Sequence, residues 1–234
     1  MIKPDTHKNT GNHNDTCNDD NTRAHNGINS WDVEQLLQNS PYIWRGCEID
    51  NHQLPYSSTG YPGLDSILPG HGWPQHALIE VITPSWGMGE LQLLLPLMRS
   101  VIARQKWILW ISPPYLLYAP ALLRAGIDAD HIIVVQLDTS CKDALWSIEK
   151  ALQTQSCGLV LAWQNWLPNK VIRRLKLAAQ TGKTLGVLFH HRNIKNSPST
   201  MRLQLKSMEQ RTEIKILKAR GSYQKPSVLI DLYN

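Results

Sequence analysis

Short apolar runs recur along this chain at helix-length intervals, and that rhythm restricts the fold more than any other feature. The runs are Ala77–Ile82, Lys106–Ile111 (KWILWI), Ile132–Leu137 (IIVVQL), Gly158–Trp163 (GLVLAW) and Thr184–Phe189 (TLGVLF). Strands that are apolar on both faces belong in the middle of a parallel sheet covered by helices. Between them the sequence predicts helices over Glu90–Gln105 (interrupted by Pro96), Tyr115–Arg124 (ended by Gly126), Lys142–Gln153 and Lys170–Thr181. Asn169 is placed to cap the last of these and Gly182 to end it. Met201–Met208 reads as a helix or a further strand. Glu213–Lys218 and Val228–Leu232 alternate and are expected as antiparallel edge strands. The fold class that follows is α/β, a mostly parallel sheet flanked by helices with antiparallel strands at its C-terminal end.

The first run opens a strand–loop–helix unit, the context in which a phosphate-binding loop occurs. Laid on G-x-x-x-x-G-K-[ST], the loop places Pro84 at the first glycine, Gly89 at the second, Glu90 at the lysine and Leu91 at the hydroxyl residue. Pro84 lacks an N–H, Glu90 sets a carboxylate where the cation belongs, and Leu91 cannot ligate magnesium. The loop, with Gly87 and Gly89, keeps the shape of a nucleotide site without its chemistry, so no cofactor or metal is expected. A second apparent match, Gly182-Lys183-Thr184, follows a helix and precedes a strand, the reverse of the required order.

Residues 1–30 are rich in Asn, Asp, Thr and His and nearly free of aliphatics, so they read as a disordered polar tail. Residues 31–54 read as a short helix, Trp31–Gln38, an aromatic turn, Pro41–Gly46, and a linker; residues 55–234 form the domain. The four cysteines, Cys17, Cys47, Cys141 and Cys157, show no C-x-x-C spacing. With no run of 18 apolar residues, a soluble cytoplasmic protein is expected. Charge is uneven: residues 168–234 carry fourteen basic and three acidic side chains, while residues 1–50 carry four and eight. A basic C-terminal third suits a polyanion, an acidic partner surface or solvent alone.

Several stretches together resemble the start of the RecA recombinase core: Ser58-Thr59-Gly60, Gly63-Leu64-Asp65, Gly72-Trp73-Pro74, Glu80 and the Pro84–Gly89 loop. Within that superfamily the chain is similar to the ImuA family of translesion-synthesis operons, through Trp44-Arg45-Gly46, Gly70–Pro74, Gly89-Glu90-Leu91, Ile111–Tyr115 and Ile216–Gly221. The cell-division inhibitor SulA resembles the Leu93–Pro96, Trp107–Pro113 and Gly158–Trp163 segments. The resemblance implies a RecA-like fold that has also lost its catalytic glutamate (Pro114) and its magnesium-holding aspartate (Ala162 or Trp163). It implies a non-catalytic accessory protein of the SOS response to DNA damage, linking RecA to an ImuB-like polymerase homologue and a replicative-type polymerase. The alternative is a SulA-type inhibitor that binds FtsZ.

The second DNA-binding loop of the recombinase corresponds to Asn193–Thr200. Arg192, Lys195, Arg202, Lys215, Lys218 and Arg220 are therefore candidates for phosphate-directed contact with DNA, without sequence reading, the alternative being that they only solubilise a partner-binding face. Trp107, Trp110 and Trp163 lie in apolar strands and are expected in the core. Trp86 either fills the vacated nucleotide pocket or anchors a partner. Tyr115 and Trp166, at strand ends on one edge of the sheet, are the other anchor candidates.

Overall fold

The structure, a computed structural model, describes Gln35 and residues 55–136, 141–164, 167–193, 196–220, 222 and 224–232. The expected tail, aromatic turn and linker fall outside these residues, and so do Trp166 and Lys195. The described residues from 55 onward belong to one compact unit.

A two-residue ladder pairs β1 (Tyr56–Ser57) with β2 (Trp73–Pro74). The main strands are β3 (Leu78–Ile82), β4 (Trp107–Ile111), β5 (Ile132–Val135), β6 (Cys157–Trp163), β7 (Leu185–His190), β8 (Met201–Met208), β9 (Arg211–Ala219) and β10 (Ser227–Ile230). These eight form the central sheet, in the order β10-β9-β8-β3-β7-β6-β4-β5. From β8 through β3 to β5 all neighbours run parallel, while β8, β9 and β10 are antiparallel. The expected mixed α/β class is thus observed. Met201–Met208 is a strand, and of the two expected edge strands only β10 is one, because β9 is paired on both sides.

Alternation along β3 sends Ile79 and Val81 to one face of the sheet and Leu78 to the other. The first face is covered by α1 (Pro62–Ile67), α2 (Leu95–Ala103) and α3 (Ala119–Arg124), through Leu64, Met98 and Leu122. The second is covered by α4 (Cys141–Gln153) and α5 (Asn169–Gly182). In α5, Ile172, Leu175 and Ala179 recur at helical spacing and are buried. Burying each of the two larger ones contributes about 2 kcal/mol.

Four local expectations are corrected. Pro96 does not interrupt a helix; residues 92–94 form a 3-10 turn and Pro96 enters the first turn of α2, where its missing N–H costs nothing. Residues 115–118 are not helical, and α3 begins only at Ala119, because Pro120 is tolerated in a helix's first turn and not further in. Pro168, not Asn169, is the N-cap of α5, and the Asn169 amide instead donates to the Asn196 carbonyl at 3.3 Å. At its other end Lys183, with φ 54°, takes the left-handed position expected of Gly182. Gly182 is helical, and a Cβ there would strike the Leu152 carbonyl and the Gln153 backbone.

Candidate functional site

The loop after β3 lies at the C-terminal end of the parallel strands, where α/β proteins place their ligands. Its own side chain occupies its anion cradle. The Gly87 and Met88 amides donate to the two oxygens of the Glu90 carboxylate, each at 2.8 Å. Amides aimed at an anion are what a phosphate loop offers, so Glu90 takes the phosphate's place besides repelling it. Glu90 is buried, and Leu91 packs against the core. Trp86 packs on His191 with ring centroids 3.9 Å apart, and His191 Nδ1 lies 2.9 Å from the Thr83 carbonyl. The indole therefore lies against the segment after β7.

Beside the loop is an apolar cavity of about 300 Å³. Leu91 and Leu95 form one wall, Trp110 and Trp163 the floor, and the Pro113–Tyr118 segment with Leu122 the other wall. Tyr115, Leu116 and Tyr118 stand in solvent at its rim, 66%, 82% and 64% exposed. Pro120, in the first turn of α3, has no N–H to bond the Leu116 carbonyl, so the helix does not reach back through this segment, and the apolar side chains expected on a helix face are presented from irregular backbone. Trp163 stacks on Phe189 at 4.7 Å and meets Trp110 at 5.6 Å. Both indoles are buried as expected, whereas Trp107, at the start of β4, is 40% exposed and is not a core residue. The indole N–H groups of Trp110 and Trp163 have no hydrogen-bond partner among the described residues. Pro114 is exposed at the cavity rim and Ala162 is buried inside β6, so neither supplies a catalytic or metal-holding group.

A second polar constellation lies inside the sheet. The Glu80 carboxylate accepts from His190 Nε2 at 3.2 Å, from Arg202 Nε at 2.9 Å and from the Ser197 hydroxyl. Arg202 also donates to Asn193 Oδ1 at 3.0 Å, and Lys218 Nζ donates to the Ser197 and Ser199 carbonyls at 2.7 Å. Burial alone raises the carboxyl's pKa. Hydrogen bonds from His190, Ser197 and Ser199, with the charge of Arg202, outweigh it and hold Glu80 at about 2. Sequence reasoning treated Glu80 only as a position of resemblance and missed His190 and Ser197. The available signal was an acid in the middle of an otherwise apolar strand, which must find buried partners.

The expected DNA contacts divide accordingly. Arg202 is buried in its pair with Glu80 and is withdrawn from any surface. The 196–200 segment is tied down through Ser197, Ser199 and Lys218, so it does not form a free polar loop. Arg192, Lys215 and Arg220 are exposed. The structure brings Tyr115 to the apolar cavity and Trp86 to His191, so the two anchor candidates do not share one pocket. No helix among the described residues is long and apolar enough to cross a membrane.

A family model described as "Cell division inhibitor SulA" matches residues 83–186. The chain is 32% identical over 108 residues to the SulA of Photorhabdus laumondii, covering 46% of this chain and 60% of that one. It is 31% identical over 97 residues to the SulA of Serratia marcescens, covering 42% and 57%. A crystal structure of SulA from Pseudomonas aeruginosa is 26% identical and covers 49% of this chain and 98% of its own, with a TM-score of 0.41. The chain thus spans about 60% of the length of the curated relatives it matches. The family model and the curated relatives overturn the expectation of a translesion accessory protein joined to RecA and polymerases, because both are described as division inhibitors. SulA is a family of non-enzymatic inhibitors, in agreement with the non-catalytic expectation.

Proposed function

We propose that this chain is a non-catalytic cell-division inhibitor of the SulA type, made in the cytoplasm during the SOS response, that binds the tubulin-like FtsZ and blocks its polymerisation. The observation that carries this reading is the extent of the family match. Residues 83–186 include the Glu90-filled loop, both tryptophans of the cavity floor and the exposed Tyr115-Leu116-Tyr118 strip. An apolar cavity rimmed by exposed aromatic and aliphatic side chains is the kind of surface on which a protein partner finds its anchors.

The fold proposed with this reading is a degenerate RecA-like domain over residues 55–234, preceded by a disordered polar tail (1–30) and a short helix with a linker (31–54). The strand–loop–helix unit on a central parallel strand supports it.

The test is GTP-driven FtsZ polymerisation followed by light scattering and sedimentation, with this protein added up to and beyond equimolar. The expected result is loss of polymer and co-elution of the two proteins. Undiminished polymerisation with no complex formed would remove the proposal.

A further inference from the structure

At the opposite end of the sheet, where the parallel strands begin, a pocket of about 60 Å³ lies between β1, the end of α2 and the residues leading into β3, β4 and β7. Its polar walls are Ser57, Gln75, His76, Arg104, Lys106 and Lys183, and no Asp or Glu stands among them. Burial lowers the His76 pKa first; the charges of Lys183 and Lys106 lower it further, and no acid opposes them. The C-termini of α2 and α5 bring the negative poles of two helices to this edge. Arg104 and Lys183 are the C-caps of those helices and offset the poles. Lys106, and His76 once protonated, remain as positive charge without a counter-charge.

Most of the donors here are free. Arg104 turns Nε and Nη2 back onto Ser100, at 3.1 and 2.7 Å. The Ser57 hydroxyl, the Gln75 amide, the His76 ring and the Lys106 and Lys183 ammonium groups have no hydrogen-bond partner among the described residues. Gly158 keeps the opening clear, since a Cβ there would strike Val101 and come within 3.0 Å of the Lys106 Cβ. The backbone around the pocket is held in a costly form. His76, Gln105 and Lys183 are left-handed, at φ 53°, 55° and 54°, three of the seven described non-glycine residues with positive φ. Such conformations persist where the surroundings impose them, and they gather at binding sites. A water needs about 10–15 Å³ of cavity, so this pocket takes a group of about five heavy atoms. Ammonium, hydroxyl and amide donors around that space select a compact oxyanion.

We propose that this pocket at the N-terminal edge of the parallel strands is a binding site for a tetrahedral oxyanion, taken either as free inorganic phosphate or as the phosphate group of a small monoester. It lies at the other end of the strands from the loop after β3, whose cradle Glu90 already fills.

Titration calorimetry of the full chain at low salt with inorganic phosphate, and separately with glycerol 3-phosphate, tests this. The variants are Lys183→Gln, on an exposed side chain, and Ser57→Ala, which removes a neutral donor from a different element; the control is Lys150→Gln, an exposed lysine on α4 outside the pocket. Inorganic phosphate should bind saturably. Lys183→Gln should weaken it about tenfold and Ser57→Ala about threefold, while Lys150→Gln leaves it unchanged and all three variants melt like the parent. Much tighter binding of glycerol 3-phosphate would show that the site reads a phosphate carried on a small ester; equal or weaker binding would show that it takes the free anion. Absence of saturable binding by both probes, or equal weakening by Lys183→Gln and Lys150→Gln, overturns the proposal.

Discussion

Arg202 Nε donates to Glu80 Oε2 at 2.9 Å, joining residues 122 positions apart and fastening the C-terminal antiparallel strands to the central parallel strand. The two residues are 5% and 1% exposed. Removing one partner leaves a buried charge without its counter-ion, so Glu80→Gln and Arg202→Met should each cost about 3 kcal/mol in chemical denaturation. The double variant Glu80→Leu/Arg202→Met should cost clearly less than the sum of its parts. Strict additivity would mean that the pair does not couple.

The same carboxylate sets an acid limit. Its pKa is near 4.5 when unperturbed and about 2 in the folded chain. A depressed folded value means the contribution is complete above pH 4.5 and disappears as pH falls from there towards 2. On the order of 3 kcal/mol should be lost across that window. Urea midpoints measured between neutral pH and pH 3 should fall more steeply for the parent than for Glu80→Gln. Parallel curves would show that Glu80 titrates normally.

Glu90→Ala takes the internal anion away from the Gly87 and Met88 amides. Two backbone donors lose a charged acceptor, so amide exchange at both positions should accelerate by at least about tenfold. ATP turnover should remain absent even in Glu90→Lys, because Pro84, Leu91, Pro114 and Ala162 still lack every other part of the phosphate and metal machinery. Turnover in that variant would mean the loop retains more catalytic capacity than its residues indicate.

Part of this was legible in the sequence. The apolar runs yielded the five strands from β3 to β7 to within two residues, because strands buried on both faces leave a compositional trace that needs no partner to interpret. The broken phosphate loop was legible for a similar reason, since Pro84 and Leu91 fail on their own chemistry. What stayed hidden depends on pairing at long range. Nothing near Glu80 in sequence announces Arg202 or Ser197, and nothing near Glu90 says that its carboxylate turns back onto Gly87. Trp107 was misplaced because a strand's composition does not reveal which residue of its first pleat reaches the end of the sheet.

Gly182 separates a packing requirement from a conformational one. It is helical, and its Cα lies against the backbone of Leu152 and Gln153 where α4 ends, so Gly182→Ala must push α5 off its neighbour. A loss of about 2–4 kcal/mol is expected. Gly87 is the contrast: its φ is 83°, and nothing stands within 4 Å of an added Cβ. Gly87→Ala should therefore cost only the left-handed backbone term, about 1 kcal/mol. Thermal melts of the two single variants decide it, and a Gly182→Ala protein as stable as the parent would show that the helices can part without penalty.

The apolar rim offers the sharpest test of a partner surface, because its side chains contribute so little to the fold. Leu116 is 82% exposed and Tyr118 64%. Neither loss should change stability by more than the small amounts typical of surface changes, about 0.5 kcal/mol. If FtsZ is held at the cavity beneath them, Leu116→Asp places a charge in an interface that has to be dry, and Tyr118→Ala removes an anchor. Each should weaken inhibition of polymerisation by about thirtyfold, the effect of losing one 2 kcal/mol contact. Trp146, on α4 and 60% exposed, supplies the control: Trp146→Ala removes a comparably exposed aromatic side chain and should leave inhibition intact. Inhibition that survives Leu116→Asp but fails with Trp146→Ala would move the partner surface from the cavity to α4.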